Sequence, residues 1–136
     1  MVQTVCQPPL RGMRILAVDD HPDLLEILTV LLEQQGAEVI GCESAGAAFQ
    51  VLVSGETLDA AVFDISMPDE DGLTLLGRLR RLESDRVGHL PVVALTAHVT
   101  RDMERRCRDA GFDHYLSKPV APAELFDVLK RLATLH

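Results

Sequence analysis

Five polar side chains stand at the ends of apolar runs of strand length. Asp19 and Asp20 close RILAVDD, Asp64 closes DAAVFD, Thr96 closes PVVALT, and Lys118 follows HYLS. In open α/β sheets, ligands bind outside the carboxyl ends of the strands. If these runs are neighbouring parallel strands, the five side chains share one mouth. Three carboxylates at such a mouth repel one another. A single like-charge pair at ~4 Å costs on the order of 4 kcal/mol at an effective dielectric of 20. One lysine cannot neutralise three acids, but a hard divalent cation with oxygen ligands can. Mg²⁺ commonly takes one or two carboxylates, waters and a phosphate oxygen. A carboxylate beside such an ion can act as a nucleophile toward phosphorus, and phosphoryl transfer asks for little beyond positioning and charge neutralisation. In that chemistry the ion and the Lys118 ammonium would stabilise the equatorial oxygens. The Thr96 hydroxyl would donate one further hydrogen bond.

Each residue taken singly has a plainer explanation. A lone Asp at a strand end is usually a turn or cap residue, and Asp19 or Asp20 could cap a helix that begins at Pro22. Thr96 alone is an ordinary strand residue, and Lys118 alone an ordinary solvated one. The joint placement at four strand ends favours the chemical reading.

The elements that must position these residues follow from periodicity. Strands are expected at Arg14–Asp19, Glu38–Cys42, Asp59–Asp64, Pro91–Thr96 and His114–Ser117. The first, third and fourth are nearly continuous apolar runs, as in strands covered on both faces. Between them, Leu25, Leu28 and Leu32 step by three and four, as do Leu75, Leu79 and Leu82, and Leu125, Val128, Leu129 and Leu132, which predicts amphipathic helices. Residues 45–54 predict a shorter, Ala-rich helix. Pro22 and Pro122 suit first helical turns, and Gly36 and Gly111 suit helix ends. Five strand–helix alternations predict a three-layer α/β fold with helices on both faces of a parallel sheet. The flavodoxin-like (βα)5 strand order 2-1-3-4-5 is the expected arrangement. The segment Arg101–Ala110 has a thin apolar stripe of Met103, Cys107 and Ala110 and four arginines, which by itself describes a solvated helix face. Residues 1–13, with Pro8-Pro9 and Gly12, read as a tail or linker.

Bulk properties narrow the function. The net charge is −8, and residues 1–68 carry 10 acids and 2 bases against 11 of each in the remainder. Without a basic stripe, direct nucleic-acid binding is not expected. Cys6, Cys42 and Cys107 are odd in number and far apart, which fits a reducing compartment. No apolar run approaches the ~18 residues of a membrane span, and no signal pattern opens the chain, so a cytoplasmic location is expected. Apart from His98, the histidines (His21, His89, His114 and His136) lack a common face or ligand spacing, so a zinc site is not expected.

The segments ILAVDDHPDLL, VFDISMPDEDGL, PVVALTA and AGFDHYLSKPV, in that order, resemble the receiver domains of two-component response regulators. The resemblance runs from about Met13 to about Leu135, giving a receiver domain over 14–135. It implies that Asp64 is the phosphoacceptor and that Asp19 and Asp20 hold Mg²⁺, with Asp20 the direct ligand and Ser66 giving its backbone carbonyl. It implies that Thr96 is the switch hydroxyl, that Tyr115 is the switch aromatic, and that Lys118 pairs with the phosphoryl group and precedes a cis proline bond. It also implies that Ala97 leaves room for the donor and that Ser66 and His98 occupy the positions that tune dephosphorylation. The donor would be the phosphohistidine of a histidine kinase or histidine phosphotransfer protein, and kinase activity would lie in a separate domain or protein. The output would be a changed surface around Arg101–Ala110, strand five and the last helix, read by a downstream protein effector or by the chain's own kinase domains. The phrases VVALTAH and AGFDHYLSKPVAPAEL resemble receivers attached to hybrid kinases, for which the Pro-containing tail would be an interdomain linker. A stand-alone regulator is the other arrangement.

Three other readings compete. An aspartyl-phosphate phosphatase usually carries a second acid two residues after the nucleophile, where this chain has Ser66. A flavin carrier wants a Thr/Ser/Gly-rich phosphate loop after strand one, where DDHPD would repel phosphate without a cation. A protein-interaction module on the same fold, never phosphorylated, has no need of the complete set Asp19, Asp20, Asp64, Thr96 and Lys118.

Overall fold

A computed structural model describes residues 10–65, 71–82, 89–97 and 100–135. In chain order the elements are β1 (Arg14–Val18), α1 (Pro22–Gln34), β2 (Glu38–Cys42), α2 (Ala45–Val53), β3 (Ala60–Asp64), α3 (Gly72–Arg80), β4 (Val92–Thr96), α4 (Arg101–Ala110), β5 (His114–Ser117) and α5 (Pro122–Leu135). All strand pairs are parallel and the order is β2-β1-β3-β4-β5, the flavodoxin-like arrangement expected from the alternation.

Strand period two divides the core between the two faces of the sheet. Leu16, Val18, Ala61, Phe63, Val92 and Ala94 face α2, α3 and α4. Ile15, Ala17, Ala60, Val62, Val93 and Leu95 face α1 and α5. Every residue of β3 and β4 is buried, whereas β2 at the edge buries only Cys42. The weak apolar character of that strand is the character of an edge. The leucine step of α1 is the buried stripe of that helix, and in α3 Leu75 and Leu79 are buried while Leu82 falls just past the helix end and is half-buried. Caps agree with the local sequence: Ser44, Asp71 and Thr100 each accept from a backbone N–H three residues on, which meets a donor that the first turn leaves unsatisfied. Gly111 ends α4 with φ 105°, a conformation open to glycine at little cost.

The core begins before β1. Leu10 is fully buried among α1, α5 and β1 side chains, and Met13 joins the same cluster. The Leu10 N–H donates to the Gln35 carbonyl at 2.9 Å, and the Met13 carbonyl accepts from Glu38 at 2.8 Å. Residues 10–13, which the sequence groups with the tail, pack as part of the globule. Residues 1–9 of that expected tail lie outside the described residues.

At the amino ends of β4 and β5, Arg80 fastens three segments. Its guanidinium donates to the Leu90 carbonyl (2.7 Å), the Gly111 carbonyl (2.8 Å) and the Asp113 carboxylate (3.2 Å). Asp113 also accepts from the Val92 N–H at 2.8 Å. None of the described helices is long and apolar enough to cross a membrane.

Candidate functional site: an acidic mouth at the carboxyl edge of the sheet

Backbone pairing runs on past the strands and fixes the mouth. The Asp19 N–H donates to the Cys42 carbonyl (3.1 Å), the Ile65 N–H to the Leu95 carbonyl (3.0 Å) and the Lys118 N–H to the Thr96 carbonyl (2.8 Å). Asp19, Asp64 and Thr96 are therefore held on continued ladder, at 2%, 3% and 1% exposure. Asp20 and Lys118 are half-buried beside them. The Lys118–Pro119 bond is cis.

The Lys118 ammonium lies 3.2 Å from Asp19 Oδ2 and 3.2 Å from Asp64 Oδ1. Burial alone would push its pKa down. The Asp64 and Asp19 carboxylates outweigh that effect and hold it above the ordinary lysine value, so the ammonium is charged at neutral pH. One cation still faces three carboxylates. Ligand oxygens of Asp19, Asp20 and Asp64 lie within 4.8 Å of one another. Asp20 Oδ1 is buried and receives no hydrogen bond. A buried carboxylate oxygen without a donor is costly, and a divalent cation with oxygen preference is the partner that fits it. Asp19, Asp20, Asp64 and Lys118 thus come together at one mouth, and Thr96 adjoins it through its carbonyl, which accepts from the Lys118 N–H.

The sequence gives no warning of two further members. Gly72 opens α3 and its N–H donates to the Ile65 carbonyl at 3.0 Å. A Cβ there would stand 2.6 Å from the Asp64 carbonyl oxygen. The bare backbone of Gly72 is what lets α3 start against the Asp64 segment. His21, set aside with the other histidines on sequence grounds, belongs to the same cluster as the three acids. It is the N-cap residue of α1, but its side chain makes no capping bond. Its Nδ1 lies 3.3 Å from Asp20 Oδ1 and 3.5 Å from Asp19 Oδ1.

Thr96 shares a strand face with Val92 and Ala94, and Tyr115 packs against that same cluster from β5. Tyr115 is half-buried, and the neighbouring Glu104 carboxylate raises its phenol's pKa. The ring borders a cavity of about 280 Å³ between α4 and β5, lined also by Cys107, Arg108 and Phe112. Ala97, next to Thr96, is exposed. Ser66 and His98 lie outside the described residues.

A family model, the response regulator receiver domain, matches residues 15–130. The chain belongs to the receiver domain family of two-component signalling. Among curated relatives of this receiver, the sensor protein GacS of Pseudomonas syringae pv. syringae is 39% identical over 125 residues, covering 90% of this chain and 14% of that protein. The sensory/regulatory protein RpfC of Xanthomonas campestris pv. campestris is 37% identical over 124 residues, covering 91% and 17%. The receiver thus spans under a fifth of either sensor protein. An uncharacterized 14.6 kDa protein of Leptolyngbya boryana is 38% identical, with 91% of its length covered. Among solved structures, the receiver domain of sensor histidine kinase PA1611 from Pseudomonas aeruginosa, with a magnesium ion coordinated in its active site cleft, superposes at a TM-score of 0.81 and 28% identity, covering 90% of this chain and 98% of that one. A CheY-like receiver domain protein from Methanospirillum hungatei gives a TM-score of 0.81 at 29% identity, covering 90% and 94%.

Proposed function

We propose that this receiver domain accepts a phosphoryl group on Asp64 and relays the change to the α4–β5–α5 face. The observation that carries the reading is the Lys118 ammonium 3.2 Å from both Asp19 and Asp64, beside an Asp20 oxygen that lacks a hydrogen-bond donor. Asp19, Asp20, Asp64 and the Ser66 backbone carbonyl would hold Mg²⁺. That ion would supply charge neutralisation to the incoming phosphoryl oxygens. Asp64 forms the new O–P bond as the donor's N–P bond breaks, and the departing imidazole nitrogen keeps the bonding pair and takes up a proton. Lys118 stabilises an equatorial oxygen. Thr96 turns its hydroxyl toward another, and Tyr115 moves toward the space Thr96 leaves. That local charge event biases a two-state element, whose exposed part is α4, β5 and α5. Ala97 leaves access for the donor, and Ser66 and His98 tune how long the phosphoryl group persists.

The donor is the phosphohistidine of a histidine kinase or histidine phosphotransfer protein, as befits a domain whose relatives include histidine kinases. Kinase chemistry lies in another domain or protein, the location is cytoplasmic, and the reader of the output is a protein, either a downstream effector or the chain's own kinase domains. Incubation with Mg²⁺ and acetyl phosphate tests the core of this reading. The expected result is a covalent mass gain of one phosphoryl group, dependent on Mg²⁺ and absent in Asp64→Asn. A gain that persists in Asp64→Asn would place the acceptor elsewhere.

A further inference from the structure

The mouth contains a group that the oxygen chemistry of magnesium does not use. His21 Nδ1 is 3.3 Å from Asp20 Oδ1 and 3.5 Å from Asp19 Oδ1. Two ligand atoms ~2.1 Å from one ion, at tetrahedral or octahedral angles, stand about 3.0–3.4 Å apart. The His21–Asp20 separation falls in that interval. Asp20 Oδ1 nevertheless receives no hydrogen bond, so the imidazole touches the carboxylate oxygen without satisfying it. The side chain of His21 is 64% exposed and caps nothing. It is therefore unhindered by packing and by competing helix bonds. His21 and the three acids all offer ligand atoms within 4.8 Å of one another.

We infer that His21 adds a nitrogen ligand to the acidic mouth, making it a site for a borderline divalent transition ion such as Zn²⁺ that competes with Mg²⁺. The chemistry follows from ligand type. Imidazole suits zinc and its neighbours, whereas magnesium takes oxygen and keeps its waters. A mixed set of carboxylates and one imidazole binds the transition ion more tightly, and only that ion depends on His21. The inference rests on the reading of the mouth as a cation site and adds a selectivity to it. Its consequence is a receiver whose supply of Mg²⁺-loaded protein falls when the transition ion is present.

Calorimetric titration of the full chain with ZnCl₂ and, separately, with MgCl₂ tests it. The ¹⁵N-labelled imidazole signals are followed in parallel. Zn²⁺ is expected to bind at least about tenfold more tightly than Mg²⁺ and to shift the His21 ring nitrogens. His21→Asn is expected to lower Zn²⁺ affinity about tenfold or more and to leave Mg²⁺ affinity within about twofold. Equal Zn²⁺ affinity in His21→Asn, or His21 ring signals unmoved by Zn²⁺, overturns the assignment. Asp20→Asn separates the two readings. If it loses both ions while His21→Asn loses neither, the cation site stands and the His21 ligand is refuted. If the unaltered chain binds neither ion, the cation reading of the mouth falls with it. Circular dichroism of each variant establishes that it is folded before it is titrated.

Discussion

At the scale of single residues, the mouth is a problem of charge and clearance. Lys118 answers two of the three carboxylates and is held protonated by them, and the remaining charge is what a divalent ion would meet. Clearance is set by Gly72. With a Cβ 2.6 Å from the Asp64 carbonyl, Gly72→Ala forces either α3 or the end of β3 to move. A clash with backbone, unlike one with a flexible side-chain tip, is not relieved by a rotamer change. We expect Gly72→Ala to lose about 1–3 kcal/mol of stability in urea unfolding and to slow phosphorylation by acetyl phosphate by more than tenfold. Unaltered rates would mean that the acceptor's position tolerates the shift. The residues of the mouth differ in how far the sequence betrays them. Asp19, Asp64, Thr96 and Lys118 are visible because strand ends are visible, and strand ends gather at one edge in any parallel sheet. Gly72 is invisible because its role is a close approach between segments, and no local pattern encodes that. His21 is invisible for a different reason. A search for histidine ligands looks for paired spacing, whereas here the partners are carboxylates, one of them more than forty residues away on another strand.

At the scale of elements, α1 is unusual in being apolar on two faces. Leu25, Leu28 and Leu32 point into the core, while Leu24, Ile27 and Val30 are exposed, Ile27 at 56%. The outer face borders a groove of about 440 Å³ lined by Leu24, Ile27, Pro119 and Val120 and also by Asp19 and Lys118. On the proposed function, an apolar groove lined in part by Asp19 and Lys118 suits a macromolecular phosphodonor that presents its histidine there. A small-molecule donor has no use for it. Ile27→Glu is therefore expected to reduce transfer from a phosphorylated histidine phosphotransfer protein at least about tenfold, the effect of losing one well-buried apolar anchor. Phosphorylation by acetyl phosphate should stay within about twofold. Equal losses with both donors would show that the substitution disturbs Asp64 and not docking. Helix α4 is the converse case. Its thin apolar stripe reads from sequence as a solvated face, and in the structure only Cys107 is buried. Periodicity alone cannot separate a merely solvated helix from one kept loose so that it can shift, because the two bury equally little.

At the scale of the whole molecule, sheet order and layering were legible because the apolar runs and leucine steps alternate without interruption. The start of the globule was not. Residues 10–13 carry no periodicity, and Pro8, Pro9 and Gly12 argue for a linker. Yet Leu10 is wholly buried and ties to the end of α1 through Gln35. A single anchoring side chain leaves no repeating signal, so burial of this kind emerges only when α1, α5 and β1 are assembled around it. Leu10→Ala should cost about 2–5 kcal/mol, read as a lower urea midpoint with an unchanged slope. A loss below about 0.5 kcal/mol would return these residues to the tail. The proposed switch acts on the same assembled body, and the attachment at Arg80 decides the form its motion can take. Arg80 binds the segments that enter β4 and β5 at the edge opposite the acidic mouth. Those entry points would then serve as a fulcrum. In the proposed switch, displacement of α4 and β5 would then be angular, growing with distance from Arg80 toward Ser117. A partner reading the signal would sense a tilt of one helix against a stationary base.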